Sequence, residues 1–309
     1  MGEIYIVAAG EAAGKTAICA GLAINLLHAG KKVGYLKLQA AGKGDDTGLM
    51  KKIPGLEIIA NESNPLKGRD IVLAEARLGK TASDAASKEV YEAAKEMKAR
   101  VIAIDAYSNQ PIKSTSLYKG FGGSLMGVII NKVPQGLLKR VKEEAVEKYG
   151  AEGIKVLGVI PENRVLLAIT VGELAECIGG KILNHKEKSG ELVENYMLGA
   201  MVVGSGLDYF GRKKNKAVVI RSERLDMQLA ALETPTNCLV LSGGKIPPSY
   251  GVLYKAESRG VPIISTETNV NDIIANIENA LTKTGLDNEK KLEKLAETVK
   301  QNLDMKVFG

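Results

Sequence analysis

Short runs of apolar, mostly β-branched residues punctuate the first half of the chain, and stretches with helical spacing of apolar positions separate them. The runs predict strands at Glu3–Ala8, Val33–Leu38, Ile71–Glu75, Val101–Asp105, Leu125–Ile130 and Val156–Ile160. The intervening periodicity predicts helices at Lys15–His28, Ser83–Lys98 and Leu137–Tyr149. These strands are apolar throughout rather than alternating, so both of their faces should be buried. That pattern calls for a parallel sheet covered by helices. In such sheets ligands bind outside the carboxyl ends of the strands.

The pattern breaks at Ile160-Pro161-Glu162-Asn163-Arg164, where proline ends a strand and polar residues follow. Thr170-Val171-Gly172-Glu173 then has the spacing of a capping box, opening a helix over Val171–Ile178 that Gly179-Gly180 closes. Further strands are expected at Ala217–Ile220, Cys238–Leu241 and Val261–Ser265. Helices are expected at Leu225–Leu232, Ser249–Arg259, Val270–Lys283 and, charged and amphipathic, Lys290–Leu303. No internal repeat links the two halves.

Composition narrows the class. The 309 residues are 45% hydrophobic and 25% charged, which suits a soluble globular protein of two domains. The apolar runs, such as Leu125 to Ile130, are too short to span a bilayer, and no secretory leader is expected, so a cytoplasmic location is. Cys19, Cys177 and Cys238 are isolated from one another, which fits a reducing compartment and argues against disulfides or a cysteine metal site. With only His28 and His185, histidine zinc chemistry and a Ser-His triad are not expected. The net charge of +6 comes from lysines interleaved with glutamates on helices, and aromatic stacking residues are few, so nucleic acid is not an expected partner.

The most specific chemistry lies between the first strand and the first helix. Gly10-Glu11-Ala12-Ala13-Gly14-Lys15-Thr16 is a Gly-containing loop that ends in Gly-Lys-Thr at a helix start. Backbone N–H groups and the helix N-terminus in such a loop cradle phosphate oxygens. Lysine reaches the terminal phosphates and the threonine hydroxyl sits on Mg²⁺. The nucleotide-binding candidates are therefore Gly10, Ala12, Ala13, Gly14, Lys15, Thr16 and Ala17, with ATP and Mg²⁺ as ligands. The common form of the loop has a glycine where this chain has Ala9.

Other candidates sit at later strand ends. Lys37 could join Lys15 in stabilising charge on a transferring phosphoryl group, or could be a surface lysine leaving its strand. Asp45 and Asp46 form a possible Mg²⁺ ligand pair, or a helix cap. Glu75 and Asp105 each end a buried strand with a carboxylate that could hold the metal. Asn131 and Lys132 follow the fifth strand. Asn131 could pair with a purine edge, adenine in the absence of a following aspartate, or could simply start the turn.

Several of these segments together resemble a known arrangement. Ile4 to Lys37, Leu73-Ala74-Glu75-Ala76, Gly127-Val128-Ile129-Ile130-Asn131-Lys132-Val133-Pro134 and Val156-Leu157-Gly158-Val159-Ile160-Pro161 resemble the dethiobiotin-synthetase-like nucleotide-binding domain. That domain also forms the N-terminal part of long bacterial phosphate acetyltransferases. Thr170-Val171-Gly172-Glu173-Leu174-Ala175, Ser222 to Thr236 and Leu241-Ser242-Gly243-Gly244 resemble a DRTGG domain, which occupies the middle of those enzymes. The resemblance implies an α/β fold: a P-loop NTPase-like parallel sheet flanked by helices, then a second, smaller α/β domain. It implies domains at residues 1–165 and 166–284, with a C-terminal helix over 285–309. It also favours Glu75 over Asp105 as the metal carboxylate.

The departures shape the functional expectation. Acetyl transfer is not expected, because the matched segments do not include the acetyl-transferring part. The synthetase pattern has its first loop glycine where this chain has Ala8, and glycines where Ala76-Arg77-Leu78 follow Glu75, so diaminononanoate binding is not expected. Arg224, Asp226, Ser242, Gly243 and Gly244 are candidates for a second site. They could form an anion pocket, or an Arg224–Asp226 pair beside a strand-ending turn. The DRTGG resemblance implies a small-molecule effector and a homodimer. The leading expectation is a Mg²⁺–ATP-binding regulatory protein with at most slow hydrolysis. The alternative is an ATP-dependent ligase of the dethiobiotin-synthetase type, activating a carboxylate or carbamate.

Overall fold

The computed structural model describes residues 2–10, 13–38, 47–60, 64–108, 115–201, 203–244, 246–286 and 288–308. The chain divides into two compact units, Met1–Glu162 with Leu286–Gly309, and Asn163–Gly285. The second unit is thus inserted between two segments of the first.

The first unit runs β1 (Glu3–Ala9), α1 (Lys15–His28), β2 (Val33–Lys37), α2 (Gly48–Lys51), β3 (Glu57–Ile59), β4 (Ile71–Arg77), α3 (Ala85–Glu96), β5 (Arg100–Ala106), α4 (Thr115–Lys119), β6 (Leu125–Val133), α5 (Leu138–Ala151) and β7 (Val156–Pro161). The strands form one sheet in the order β3-β2-β4-β1-β5-β6-β7. Every pairing is parallel, as the continuously apolar strands predict. Successive side chains take opposite faces. Ile4, Ile6 and Ala8 of β1, with Val72 and Ala74 of β4, pack against Val90 and Ala94 of α3 and Val141 and Ala145 of α5. Tyr5 and Val7 point to the other face.

The second unit contains α6 (Arg164–Leu167), β8 (Ile169–Thr170), α7 (Val171–Cys177), β9 (Lys181–Ile182), β10 (Leu192–Val193), β11 (Asn195–Leu198), α8 (Gly206–Gly211), β12 (Lys216–Arg221), α9 (Leu225–Leu232), β13 (Thr236–Ser242), α10 (Tyr250–Arg259), β14 (Ile263–Ser265) and α11 (Val270–Lys283). A five-stranded sheet, β11-β12-β13-β14-β9, is its centre, and β10 with β8 makes a separate antiparallel pair. Ala217, Val219 and Val240 face Leu174 and Ile273 of α7 and α11. Val218, Leu239 and Leu241 face Phe210, Met227 and Val252 of α8, α9 and α10. The capping box expected at Thr170 is present: the Glu173 N–H donates to Thr170 Oγ1 at 3.1 Å, and the Thr170 N–H donates to Glu173 Oε2 at 2.6 Å.

The chain then returns to the first unit as α12 (Glu289–Asn302). This helix packs on α1. Asn25 Nδ2 donates to the Ala296 carbonyl at 2.8 Å, and a Cβ at Gly21 would lie 2.5 Å from Val299 Cγ2. Beyond it, the Phe308 ring lies 5.3 Å from that of Tyr5, inside the unit. Among the described residues no helix is long and apolar enough to cross a membrane.

Candidate functional site

β1 delivers the chain to Gly10 at the carboxyl edge of the sheet, and α1 leaves from Gly14. Gly14 has φ +86°, a left-handed conformation that glycine adopts without steric cost, and it is the residue before the first helical turn. Glu11 and Ala12 lie outside the described residues. Ala13 is buried, and Ala17 lies in the first turn of α1. Lys15 folds back over the loop, its Nζ donating to the Gly10 carbonyl at 3.1 Å. Burial holds the Lys15 ammonium below the ordinary lysine range, Glu75 opposes that, and Arg77 and Lys37 add to it. Three cations therefore share one neighbourhood with one carboxylate.

That carboxylate is the centre of the arrangement. Glu75 is 5% exposed, near the end of β4. Thr16 Oγ1 donates to its Oε1 at 3.0 Å, and Tyr35 OH donates to its Oε2 at 2.7 Å. Strand register pairs Glu75 with Val7 on one side and with Lys37 on the other. Lys37 therefore leaves β2 on the sheet face that carries Glu75, and the structure brings Lys15, Thr16, Lys37 and Glu75 together. The fully buried Cys19, one turn along α1, has its thiol pushed well up, mainly by burial and further by the charge of Glu75.

The rival acid is engaged elsewhere. Asp105 accepts a hydrogen bond from Tyr149 OH at 2.6 Å, and burial, then the Asp105 charge, raises the Tyr149 phenol far above its usual range. Asp45 and Asp46 fall outside the described residues. Asn131 is buried at the end of β6, and its Nδ2 donates to the Ala13 carbonyl at 2.9 Å. A Cβ at Gly14 would sit 2.4 Å from that same nitrogen. Lys132 has φ +61°, and the β6–β7 register shifts between Ile130 and Val133. This bulge turns Asn131 inward onto the loop. Its amide supports the phosphate loop from behind, a third use beyond the base contact and the simple turn.

Tyr35 and Arg77 are not among the site residues expected from the sequence. Both carried a signal in the two-residue period of a strand. Tyr35 precedes Lys37 by two and Arg77 follows Glu75 by two, so each shares a face with a residue already singled out.

In the second unit, Arg224 grips Asp226 with two hydrogen bonds, Nε to Oδ1 at 3.0 Å and Nη2 to Oδ2 at 2.8 Å. Its Nη2 also donates to the Met201 carbonyl at 2.9 Å. The Gly243 N–H donates to the Thr268 carbonyl and the Gly244 N–H to the Thr266 carbonyl, at 3.3 and 2.8 Å. The Ser242 carbonyl accepts from both the N–H and the hydroxyl of Ser222. Arg224 Nε and Nη2 and the Gly243 and Gly244 N–H groups thus have internal partners. The Arg224–Asp226 pair and the strand-ending turn are both present.

Residues 4–173 match the model of the CobQ/CobB/MinD/ParA nucleotide binding domain. The chain belongs to that family. Within this nucleotide binding domain lie all of the first-unit candidates. Residues 173–280 match the DRTGG domain. Two phosphate acetyltransferases, from Pseudomonas aeruginosa and Pseudomonas putida, are 22% and 23% identical to the chain. Each alignment takes in 98% of this chain and 51% of the relative. The chain therefore spans about half the length of the curated relatives it matches. The MinD cell division protein of Aquifex aeolicus is similar over 53% of this chain and 84% of its own, at 15% identity and a TM-score of 0.37. The CBS and DRTGG domains of Clostridium perfringens pyrophosphatase, solved with diadenosine tetraphosphate, are similar over 45% of this chain and 69% of theirs, at 15% identity and a TM-score of 0.32.

Proposed function

We propose that this chain is a Mg²⁺–ATP-binding regulatory protein. Its nucleotide domain, residues 1–165, would hold the nucleotide, and its DRTGG domain, residues 166–284, would take a small-molecule effector and support self-association. One observation carries the reading: Lys15, Thr16 and Glu75 converge at a glycine loop on the carboxyl edge of a parallel sheet. The donor set suits the ligand. A hydroxyl and a buried carboxylate are the hard oxygen ligands that Mg²⁺ takes, with phosphate and water completing its shell. In this reading Thr16 and Glu75 hold the metal, Gly14, Lys15 and the loop N–H groups hold the phosphates, and Asn131 keeps the loop in shape. Bound Mg²⁺ would neutralise phosphate charge. Lys15 would leave the Gly10 carbonyl to reach the terminal phosphates.

Calorimetric titration with Mg²⁺–ATP tests this directly. The intact protein should bind, and Lys15→Ala should lose most of that binding. No heat of binding in the intact protein would refute the reading.

A second reading has one observation in its favour. Lys37 lies across from Glu75 and close enough to influence Lys15. A second cation beside the loop suits an ATP-dependent ligase of the dethiobiotin-synthetase type, in which both lysines would stabilise a phosphoryl group in transfer. ADP release that requires an added small amine or acid would favour that reading. Turnover indifferent to such a panel would dismiss it.

A further inference from the structure

We infer that Tyr35 is a positioning residue that sets the orientation of the Glu75 carboxylate toward Thr16. The inference rests on the nucleotide reading above and adds a residue to it.

The terminal torsion of a glutamate is soft, so a carboxylate needs partners on both oxygens to hold one plane. Glu75 has them. Oε2 accepts from Tyr35 OH at 2.7 Å and Oε1 accepts from Thr16 Oγ1 at 3.0 Å. Neither residue is adjacent to Glu75 in sequence. Register pairs Tyr35 with Leu73, so Tyr35 and Glu75 are diagonal neighbours on one face of adjacent strands. The bond is buried, with Tyr35 1% and Glu75 5% exposed. In such surroundings a bond from a phenol to a carboxylate is strong and directional.

The alternatives open to Glu75 explain why orientation needs fixing. Lys15, Lys37 and Arg77 all lie within electrostatic reach of this corner. A carboxylate free to turn would swing toward the nearest ammonium and leave Thr16. The Tyr35 hydroxyl holds one oxygen away from that competition, and the other then faces the threonine that opens α1. Half-buried Tyr91 and buried Tyr118 donate to the Leu117 and Ile104 main-chain carbonyls, and buried Tyr5 and Tyr149 donate to Glu3 and Asp105. Tyr35 is the tyrosine whose proton goes to the carboxylate that also holds Thr16.

The test is Tyr35→Phe, read by titrating Mg²⁺ against a fluorescent ATP analogue, with a parallel binding curve in EDTA. Loss of one charge-assisted bond should raise the half-saturating Mg²⁺ about tenfold. Metal-free nucleotide affinity should change by less than about twofold, since the hydroxyl donates to the Glu75 carboxylate. A merely structural role would weaken both curves together. In a Glu75→Gln background, Tyr35→Phe should add almost nothing to the Mg²⁺ requirement, because the carboxylate it orients is gone. An unchanged Mg²⁺ curve in Tyr35→Phe, or full additivity with Glu75→Gln, overturns the inference while leaving the nucleotide reading intact. An intact protein that binds no nucleotide overturns both.

Discussion

Replacing Gly14 with alanine puts the geometry of the phosphate loop to a quantitative test. Two costs add. Gly14 has φ +86°, and an L-residue held in the left-handed region pays roughly 1–2 kcal/mol. The new Cβ would also lie 2.4 Å from Asn131 Nδ2, well inside contact distance. Asn131 must withdraw, and its bond to the Ala13 carbonyl is lost, leaving a buried acceptor at a cost of about 1–3 kcal/mol. The sum, about 2–5 kcal/mol, falls on the first unit. For a unit of this size each kcal/mol lowers the melting temperature by about 2–4 °C, so a drop of roughly 4–20 °C is expected. Gly10→Ala is the control. Among the described residues nothing lies within 4 Å of its added methyl group, and its φ is not left-handed, so its melting temperature should stay within about 2 °C of the parent. Scanning calorimetry on both variants decides. Equal melting points for Gly14→Ala and the parent would refute the loop geometry described here.

Three further outcomes follow from other contacts. Lys216 is fully buried at the start of β12, hydrogen-bonded to Thr234 Oγ1 and the Pro235 carbonyl, and burial pushes its ammonium down to about 8 from 10.5. Between those values the unfolded chain binds more protons, so the second unit should gain stability as pH rises from 8 to 10.5, by roughly 3 kcal/mol at most. Lys216→Met should flatten that slope in urea titrations across the range. Gly21→Ala should destabilise the first unit by about 1–2 kcal/mol despite better helix propensity, because Val299 fills the space. Adding Val299→Ala should recover part of the loss in the same melting assay. Thr170→Ala removes the capping box of α7 and should cost about 1 kcal/mol by chemical denaturation.

The parallel first unit was legible because its strands are apolar on both faces and its helices are not. The bounds of α1, α9 and α11 coincide with the expected spans; polar residues flank α9 and α11, and Gly14 marks the start of α1. β3 and β8 to β11 escaped notice: at two to four residues they are too short to show a period. The destination of α12 was also hidden. An amphipathic pattern marks a buried face without naming its partner, and the partner here is the phosphate-loop helix, met at Gly21.

The candidate site was legible to the extent that its residues sit at strand ends or in the loop motif. Lys15, Thr16, Lys37 and Glu75 meet because register aligns them, and register follows from the apolar pattern. The turn of Asn131 onto Ala13 depends on the left-handed Lys132, which sequence composition does not announce. In the second unit, Arg224 and Asp226 are two residues apart, a spacing compatible with a pocket or a pair. Asp226 is held below the usual carboxylate range chiefly by its hydrogen bond to Arg224.

Hydrogen exchange at the loop amides tests the nucleotide site most directly. Adding Mg²⁺–ATP should slow exchange at Gly14, Lys15 and Thr16 and at the first turn of α1, while AMP should leave them unchanged. ATP binding that protects residues elsewhere and leaves these amides as they were would contradict the site.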